Sequence, residues 1–143
     1  MQHTATYTNA HIAPHTASIS TTRIWIGRCI GGFAALSLLL DGATKALQLA
    51  PVLEASAQLG LGAGLTFGLG VLELACLAAY LTPRTAPLGA ILLTGYLGGA
   101  MAIHVRLGSP VFSVVFPLMM GAMLWVGLAL RDRRLRVLLS PQA

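Results

Sequence analysis

The chain has 143 residues, of which 56% are hydrophobic and only 9% are charged, and its mean hydropathy is +0.78. A soluble globular domain carries about 25% charged residues, so this composition excludes a water-soluble fold and indicates an integral membrane protein. The net charge of +5 would also suit a nucleic-acid-binding protein. The positions of the basic residues favour membrane topology instead, and no nucleic-acid partner is predicted.

Polar or basic tails are predicted at both ends of the chain. Residues 1–22 are rich in Thr, Ala, Ser and His, contain no Lys or Arg, and show no apolar periodicity, which predicts a disordered tail. Because no basic segment precedes Arg23, a cleaved signal peptide is not expected. Residues 131–143 form a basic tail, which we expect to be cytoplasmic.

Four apolar segments between these tails are each long enough to cross a hydrocarbon core of about 30 Å. The first should continue as helix to Leu49, because Pro51 lacks the N–H group needed to extend it. Pro87 suits the first turn of the third helix, and Pro117 should kink the fourth. The predicted fold of residues 23–138 is therefore an all-α transmembrane four-helix bundle, with helices at about 23–49, 64–81, 87–106 and 111–130.

The basic residues are distributed unequally between the two ends of this bundle. An even number of helices places both termini on one side of the membrane, and Lys and Arg in short loops are retained in the cytoplasm. The end of the bundle that contains both termini has many more arginines than the other end, so the N- and C-termini are predicted to be cytoplasmic. That end contains Arg23, Arg28, Arg84, Arg131, Arg133, Arg134 and Arg136, and the other end contains Lys45 and Arg106.

Glycines recur four residues apart in three places. This spacing lets helix backbones approach closely in lipid, so it predicts tight packing within the bundle, with homodimerisation through one glycine face as the alternative. The glycines concerned are Gly27 and Gly31, then Gly60, Gly64 and Gly68, then Gly95 and Gly99.

Ionisable side chains inside membrane segments are costly, and each one therefore raises a functional question. Asp41 and Lys45 lie four residues apart near the outer end of the first helix, in the order that favours an ion pair. Glu73 lies about 13 Å below Gly64, near the membrane midplane. Tyr96 on the third helix reaches about the same depth, so its hydroxyl is the predicted partner of this carboxyl.

Two further polar residues follow Tyr96 on the third helix. His104 lies on the same helix face, two turns on, and both His104 and Arg106 reach the outer level of Asp41. Together these groups predict a ligand pocket that opens outward, and the alternative is a polar lock that only holds the helices in register. The candidate residues are Asp41, Lys45, His104 and Arg106 at the mouth, with Glu73 and Tyr96 at the floor.

No set of metal or redox-cofactor ligands is recognisable in the sequence. Cys29 and Cys76 could meet at equal depth, but a disulfide near the cytoplasm would be kept reduced. Two thiols and one intramembrane histidine do not match a haem or iron–sulfur motif. We therefore predict no metal site and no catalytic residue.

Four stretches of the sequence carry a family resemblance: LDGATKAL at 40–47, GVLELA at 70–75, PRTAPLGAILLTGYLGGAMAIHVRLGSP at 83–110 and WVGLALRDRRLRVL at 125–138. They resemble the DoxX-like family of small bacterial four-helix membrane proteins. The resemblance implies residence in the bacterial cytoplasmic (inner) membrane, and it places all six candidate residues at positions where such residues typically recur in the family.

The function that this resemblance implies is a general one. The family takes its name from a membrane subunit associated with thiosulfate oxidation and quinone reduction, so we expect an accessory subunit of a quinone-linked or redox membrane complex. A stand-alone quinone-coupled oxidoreductase and a small oligomeric transporter are the alternatives. The expected partners are the lipid bilayer and either a second copy of the chain or a membrane redox protein, with quinone as the expected cofactor if there is one.

Overall fold

The computed structural model describes residues 21–132, and within that range the regular structure is entirely helical. Four of the helices are long and apolar enough to cross a membrane; the 21 residues of the last one span about 31 Å. Apart from Thr21, Thr22, Arg131 and Asp132, the two predicted tails lie outside the described residues. The helices are α1 (Thr21–Ala46), α2 (Ala50–Gln58), α3 (Ala63–Leu81), α4 (Ala86–Arg106) and α5 (Val111–Arg131).

The four long helices form a ring in which neighbours run in opposite directions. Helix α1 packs against α3 and α5, and α4 packs against the same two helices, so α3 and α5 separate α1 from α4. Large apolar side chains such as Trp25, Phe33 and Leu118 are exposed on the outside of the ring, which is typical of a surface that contacts lipid. The buried core includes Ala34, Leu38, Leu77, Tyr80, Leu93, Leu124 and Leu128.

The bounds of α3, α4 and α5 differ from the predicted helices by no more than one residue at either end. The first helix differs more, because it ends at Ala46 rather than Leu49. Gln48 adopts a positive φ of 52°, a conformation that cannot continue an α-helix. Pro51 then lies in the first turn of α2, where its missing N–H is not needed. The short helix α2 was not predicted; it packs against α3 and α1.

Close glycine packing occurs between α1 and α5. A Cβ added to Gly127 would lie 2.6 Å from the Cα of Gly31, and one added to Gly27 would lie 2.7 Å from the Cβ of Leu130. The packing prediction is therefore confirmed for Gly27 and Gly31.

The same prediction is wrong for the other two glycine groups. Gly64, Gly68, Gly95 and Gly99 have no neighbouring atom within 4 Å of an added Cβ, and Gly60 has a φ of +74° in the turn after α2. Regular spacing establishes that such residues share a helix face, but it does not establish that the face points inward.

Tyr80 joins α3 to α5 at the end of the bundle where α1 begins and α5 ends. Its buried hydroxyl donates a hydrogen bond to the carbonyl oxygen of Leu124 at 3.0 Å. The Arg131 guanidinium lies 4.7 Å from the centre of the Tyr80 ring and donates to the Tyr80 carbonyl oxygen at 3.2 Å. Arg28 and Arg84 border the same cavity as Arg131, so these three arginines do share one end of the bundle. Which side of the membrane this end faces stays a prediction.

Candidate functional site

Lys45, in the last turn of α1, is the centre of a polar cluster that joins three helices. Its Nζ donates hydrogen bonds to Asp41 Oδ2 at 2.5 Å, to the Tyr96 hydroxyl at 3.0 Å and to Glu73 Oε2 at 3.1 Å. These bonds employ all three N–H donors of the ammonium group. We call Asp41, Lys45, Glu73 and Tyr96 the polar tetrad.

Glu73 is the most deeply buried member of the tetrad, with no exposed surface. Its Oε2 accepts hydrogen bonds from Lys45 and, at 2.8 Å, from the Tyr96 hydroxyl, which confirms the predicted Glu73–Tyr96 contact. Its Oε1 has no hydrogen-bond partner within residues 21–132. With both carboxyl groups and the ammonium group ionised and the Tyr96 hydroxyl neutral, the tetrad carries one excess negative charge.

Two glycines bring α1 and α3 close enough for Lys45 to reach Glu73. A Cβ added to Gly70, one turn before Glu73, would lie 2.7 Å from the Lys45 Cβ and 2.8 Å from the Gly42 carbonyl oxygen. One added to Gly42 would lie 3.4 Å from the Cγ of Glu73. The absence of side chains at both positions therefore sets the short distance between the two helices beside the tetrad.

A cavity of about 670 Å³ lies beside the tetrad, bordered by residues of all five helices. Asp41, Lys45 and Tyr96 border it directly, whereas Glu73 lies behind them and does not. Most of its remaining lining is apolar. We call this space the lateral cavity; its apolar lining includes Leu38, Val52, Leu59, Leu72, Leu97, Phe112, Phe116 and Pro117.

The wall that α4 contributes to the lateral cavity combines polar and very small residues. Tyr96, Ala100 and His104 line it along one helix face, as their spacing predicted. Gly95 and Gly99 also line it, and because nothing lies within 4 Å of an added Cβ, their lack of a side chain helps to create the space.

The structure brings five of the six candidate residues to the tetrad or to the lateral cavity. His104 borders the cavity, is partly buried, and its Nδ1 lies 3.2 Å from the Ser109 hydroxyl. Arg106 was predicted at the pocket mouth, but it is exposed and does not line the cavity. Two residues further along the helix, it lies on a different face from His104.

Helix α2 is the part of the site that the sequence prediction missed. Val52, Ala55 and Ser56 line the lateral cavity from this helix, and Leu59 lines it from the residue that follows the helix. They follow the i, i+3, i+4, i+7 pattern of an amphipathic helix face, which was the available signal. At nine residues the segment is too short to cross a membrane, so the length of its apolar stretch does not indicate a membrane span.

No group of three or more metal-binding side chains comes together within residues 21–132. The two cysteines do not pair: Cys29 is exposed on α1 and Cys76 is buried on α3. The chemistry that the described site offers is therefore hydrogen bonding and charge at one wall of an apolar space.

Comparison with known proteins identifies the family. The model of the DoxX-like family matches residues 30–127, which is well over half of the chain and includes the polar tetrad, α2 and all the residues that line the lateral cavity. No curated protein and no solved structure gives a significant match. With four helices able to span a bilayer, the chain is a multi-pass membrane protein, and it belongs to the DoxX-like family.

Proposed function

We propose that this chain is a subunit of a quinone-linked redox complex in the bacterial cytoplasmic membrane, and that the lateral cavity binds the quinone. The observation that carries the proposal is the composition of the cavity wall, which is mostly apolar and whose polar residues are Asp41, Lys45, Tyr96 and His104 with the hydroxyls of Ser56 and Ser113. A quinone combines an apolar body with ring carbonyls that accept hydrogen bonds. A volume of about 670 Å³ lies within the usual range for small-molecule sites.

Lys45 is the side chain best placed to hold a ring carbonyl. Its contact with Asp41 is the most easily exchanged of its three, because the Asp41 side chain is 50% exposed whereas Glu73 is fully buried. A ligand carbonyl that replaces Asp41 leaves the bonds to Glu73 and Tyr96 in place. His104 offers a second polar contact about 12 Å further along α4 than Tyr96, on the same cavity wall.

The role of a subunit is favoured over that of a complete oxidoreductase. Reduction of a quinone needs two electrons and two protons, and the described residues form no cluster of three or more metal-binding side chains that could hold an electron-transfer centre. We therefore assign the electron donor to a partner protein in the membrane. The polar tetrad, which holds two carboxyl groups beside the cavity, is suited to exchanging protons with the bound ring.

A matched pair of glycine substitutions tests the proposal. Gly99 lines the lateral cavity and Gly98 does not, and neither has an atom within 4 Å of an added Cβ. The leucine side chain of Gly99→Leu should therefore fill the cavity without disturbing helix packing. The leucine side chain of Gly98→Leu should stay outside the cavity. The full chain and both variants would be purified in native lipid particles, and bound quinone quantified by mass spectrometry.

We expect the wild type and Gly98→Leu to purify with bound quinone. Gly99→Leu should retain at least tenfold less bound quinone at unchanged thermal stability. Wild-type protein that purifies without quinone, or Gly99→Leu that retains it, would contradict the proposal. Quinone reduction by the purified chain alone with a soluble donor would favour the stand-alone oxidoreductase. Solute uptake into vesicles that contain the chain would favour the transporter.

A further inference from the structure

A second cavity lies at the opposite end of the bundle from the polar tetrad. It has a volume of about 500 Å³ and lies between the first turns of α1, the connection from α3 to α4, and the end of α5. Arg28, Arg84 and Arg131 border it, one from each of these three segments. We call it the basic cavity.

Two of these arginines lie over aromatic rings. The Arg131 guanidinium lies over Tyr80 at 4.7 Å and uses an N–H to reach the Tyr80 carbonyl, which leaves most of its five N–H donors for other partners. The Arg28 guanidinium lies 5.8 Å from the centre of the Trp25 ring. Aromatic contacts orient a guanidinium without neutralising its charge.

The remaining lining of the basic cavity is mixed. Ile24, Leu81 and Leu128 supply apolar surface, and Asp132 supplies one carboxylate, so the lining residues carry a formal excess of positive charge. Ala86 is the first residue of α4, and the amino end of a helix favours a nearby anion. Guanidinium groups suit phosphate in particular, because their forked donors match its oxygens.

We propose that the basic cavity binds the phosphate headgroup of an anionic glycerophospholipid. The arginines bind the phosphate, and the apolar side chains contact the glycerol and the first carbons of the acyl chains. Free phosphate has no apolar part and would not use those side chains. The cavity lies at the helix ends on the predicted cytoplasmic side, where anionic lipid attracts basic side chains. The inference is independent of the quinone site, which involves the other end of the bundle.

The test compares arginines that border the basic cavity with one that does not. Arg28→Gln and Arg84→Gln remove one guanidinium each, while Arg23→Gln removes an exposed arginine that does not border the cavity, at the same end of α1. The full chain would be delipidated in detergent and titrated with phosphatidylglycerol or phosphatidylcholine. Native mass spectrometry would count bound lipid, and thermal unfolding would show that each variant folds.

We expect phosphatidylglycerol to bind more tightly than phosphatidylcholine. Arg28→Gln and Arg84→Gln should each weaken its binding about fivefold, the order expected of one basic side chain beside anionic lipid, with little change in Arg23→Gln. Equal binding of the two lipids, or an equal loss in Arg23→Gln, would show only general surface attraction and overturn the proposal. Displacement of the lipid by millimolar inorganic phosphate would also overturn it, because the site would then select free phosphate.

Discussion

Gly70→Ala should destabilise the bundle although it adds only one methyl group. The new Cβ would lie 2.7 Å from the backbone nitrogen of Ala46, 2.7 Å from the Lys45 Cβ and 2.8 Å from the Gly42 carbonyl oxygen. Two of these atoms belong to the backbone of α1 and cannot rotate away. Helix α1 must therefore retreat by about 0.7 Å before these become ordinary contacts at 3.4 Å.

The expected cost follows from two opposing terms. Overpacking of this kind costs about 1–3 kcal/mol, and the backbone clash places Gly70→Ala at the upper end of that range. Replacing a helical glycine by alanine stabilises the helix by up to about 1 kcal/mol, which opposes this cost. The net expectation is a loss of about 2 kcal/mol in the free energy of unfolding. The retreat also carries Lys45 away from Glu73, from which its Nζ is now 3.1 Å.

Gly68→Ala is the matched control, since it lies two residues away on the same helix with no atom within 4 Å of its added Cβ. It should be neutral or stabilising by up to about 1 kcal/mol. Unfolding of both variants by SDS in mixed micelles, followed by circular dichroism, measures the difference. If Gly70→Ala is as stable as Gly68→Ala, the close approach of α1 and α3 at the tetrad is refuted.

Two further substitutions test single contacts. Glu73→Gln keeps the shape of the buried side chain but removes the charge that Lys45 and Tyr96 bind, so it should cost about 2 kcal/mol of unfolding free energy in the same micelle assay. The control is Glu54→Gln, on the exposed face of α2, which should cost nothing measurable. Equal stability of the two variants would refute the stabilising role of the tetrad. Tyr80→Phe removes only the hydrogen bond to Leu124, so a loss of about 1 kcal/mol is expected, and no loss would show that this bond contributes nothing.

The four membrane-spanning helices could be predicted because each is a long apolar segment bounded by proline, glycine or charge. Helix α2 could not be found by that criterion, since its nine residues are stabilised by packing against α1 and α3 rather than by crossing the membrane. The turn at Gln48 could not be predicted from the sequence either. A positive φ at a glutamine follows from the tertiary structure, and the residue type does not indicate it.

Much of the polar tetrad could be predicted from depth along the helices. The pair Asp41–Lys45 follows from a spacing of four residues, and Glu73–Tyr96 follows from equal distances to the helix ends. The ion pair between Lys45 and Glu73 needed the helix rotations as well, because it depends on Gly42 and Gly70 facing each other. Helix rotation also excludes Arg106 from the cavity, although its depth is right.

Ligand pocket and polar lock are the two interpretations of the tetrad, and the proposed function assigns them to different members. Glu73 is fully buried behind the cavity wall and joins α1 to α4 through Lys45 and Tyr96, so it stabilises the bundle. Asp41 is half exposed and borders the cavity, so under the proposed function it is the partner that leaves Lys45 when a ligand binds. Substituting Asp41 should therefore alter ligand binding more than stability, and substituting Glu73 should do the reverse. Under the proposed function Lys45 takes part in both roles, because its ammonium group binds the buried Glu73 and the half-exposed Asp41 together.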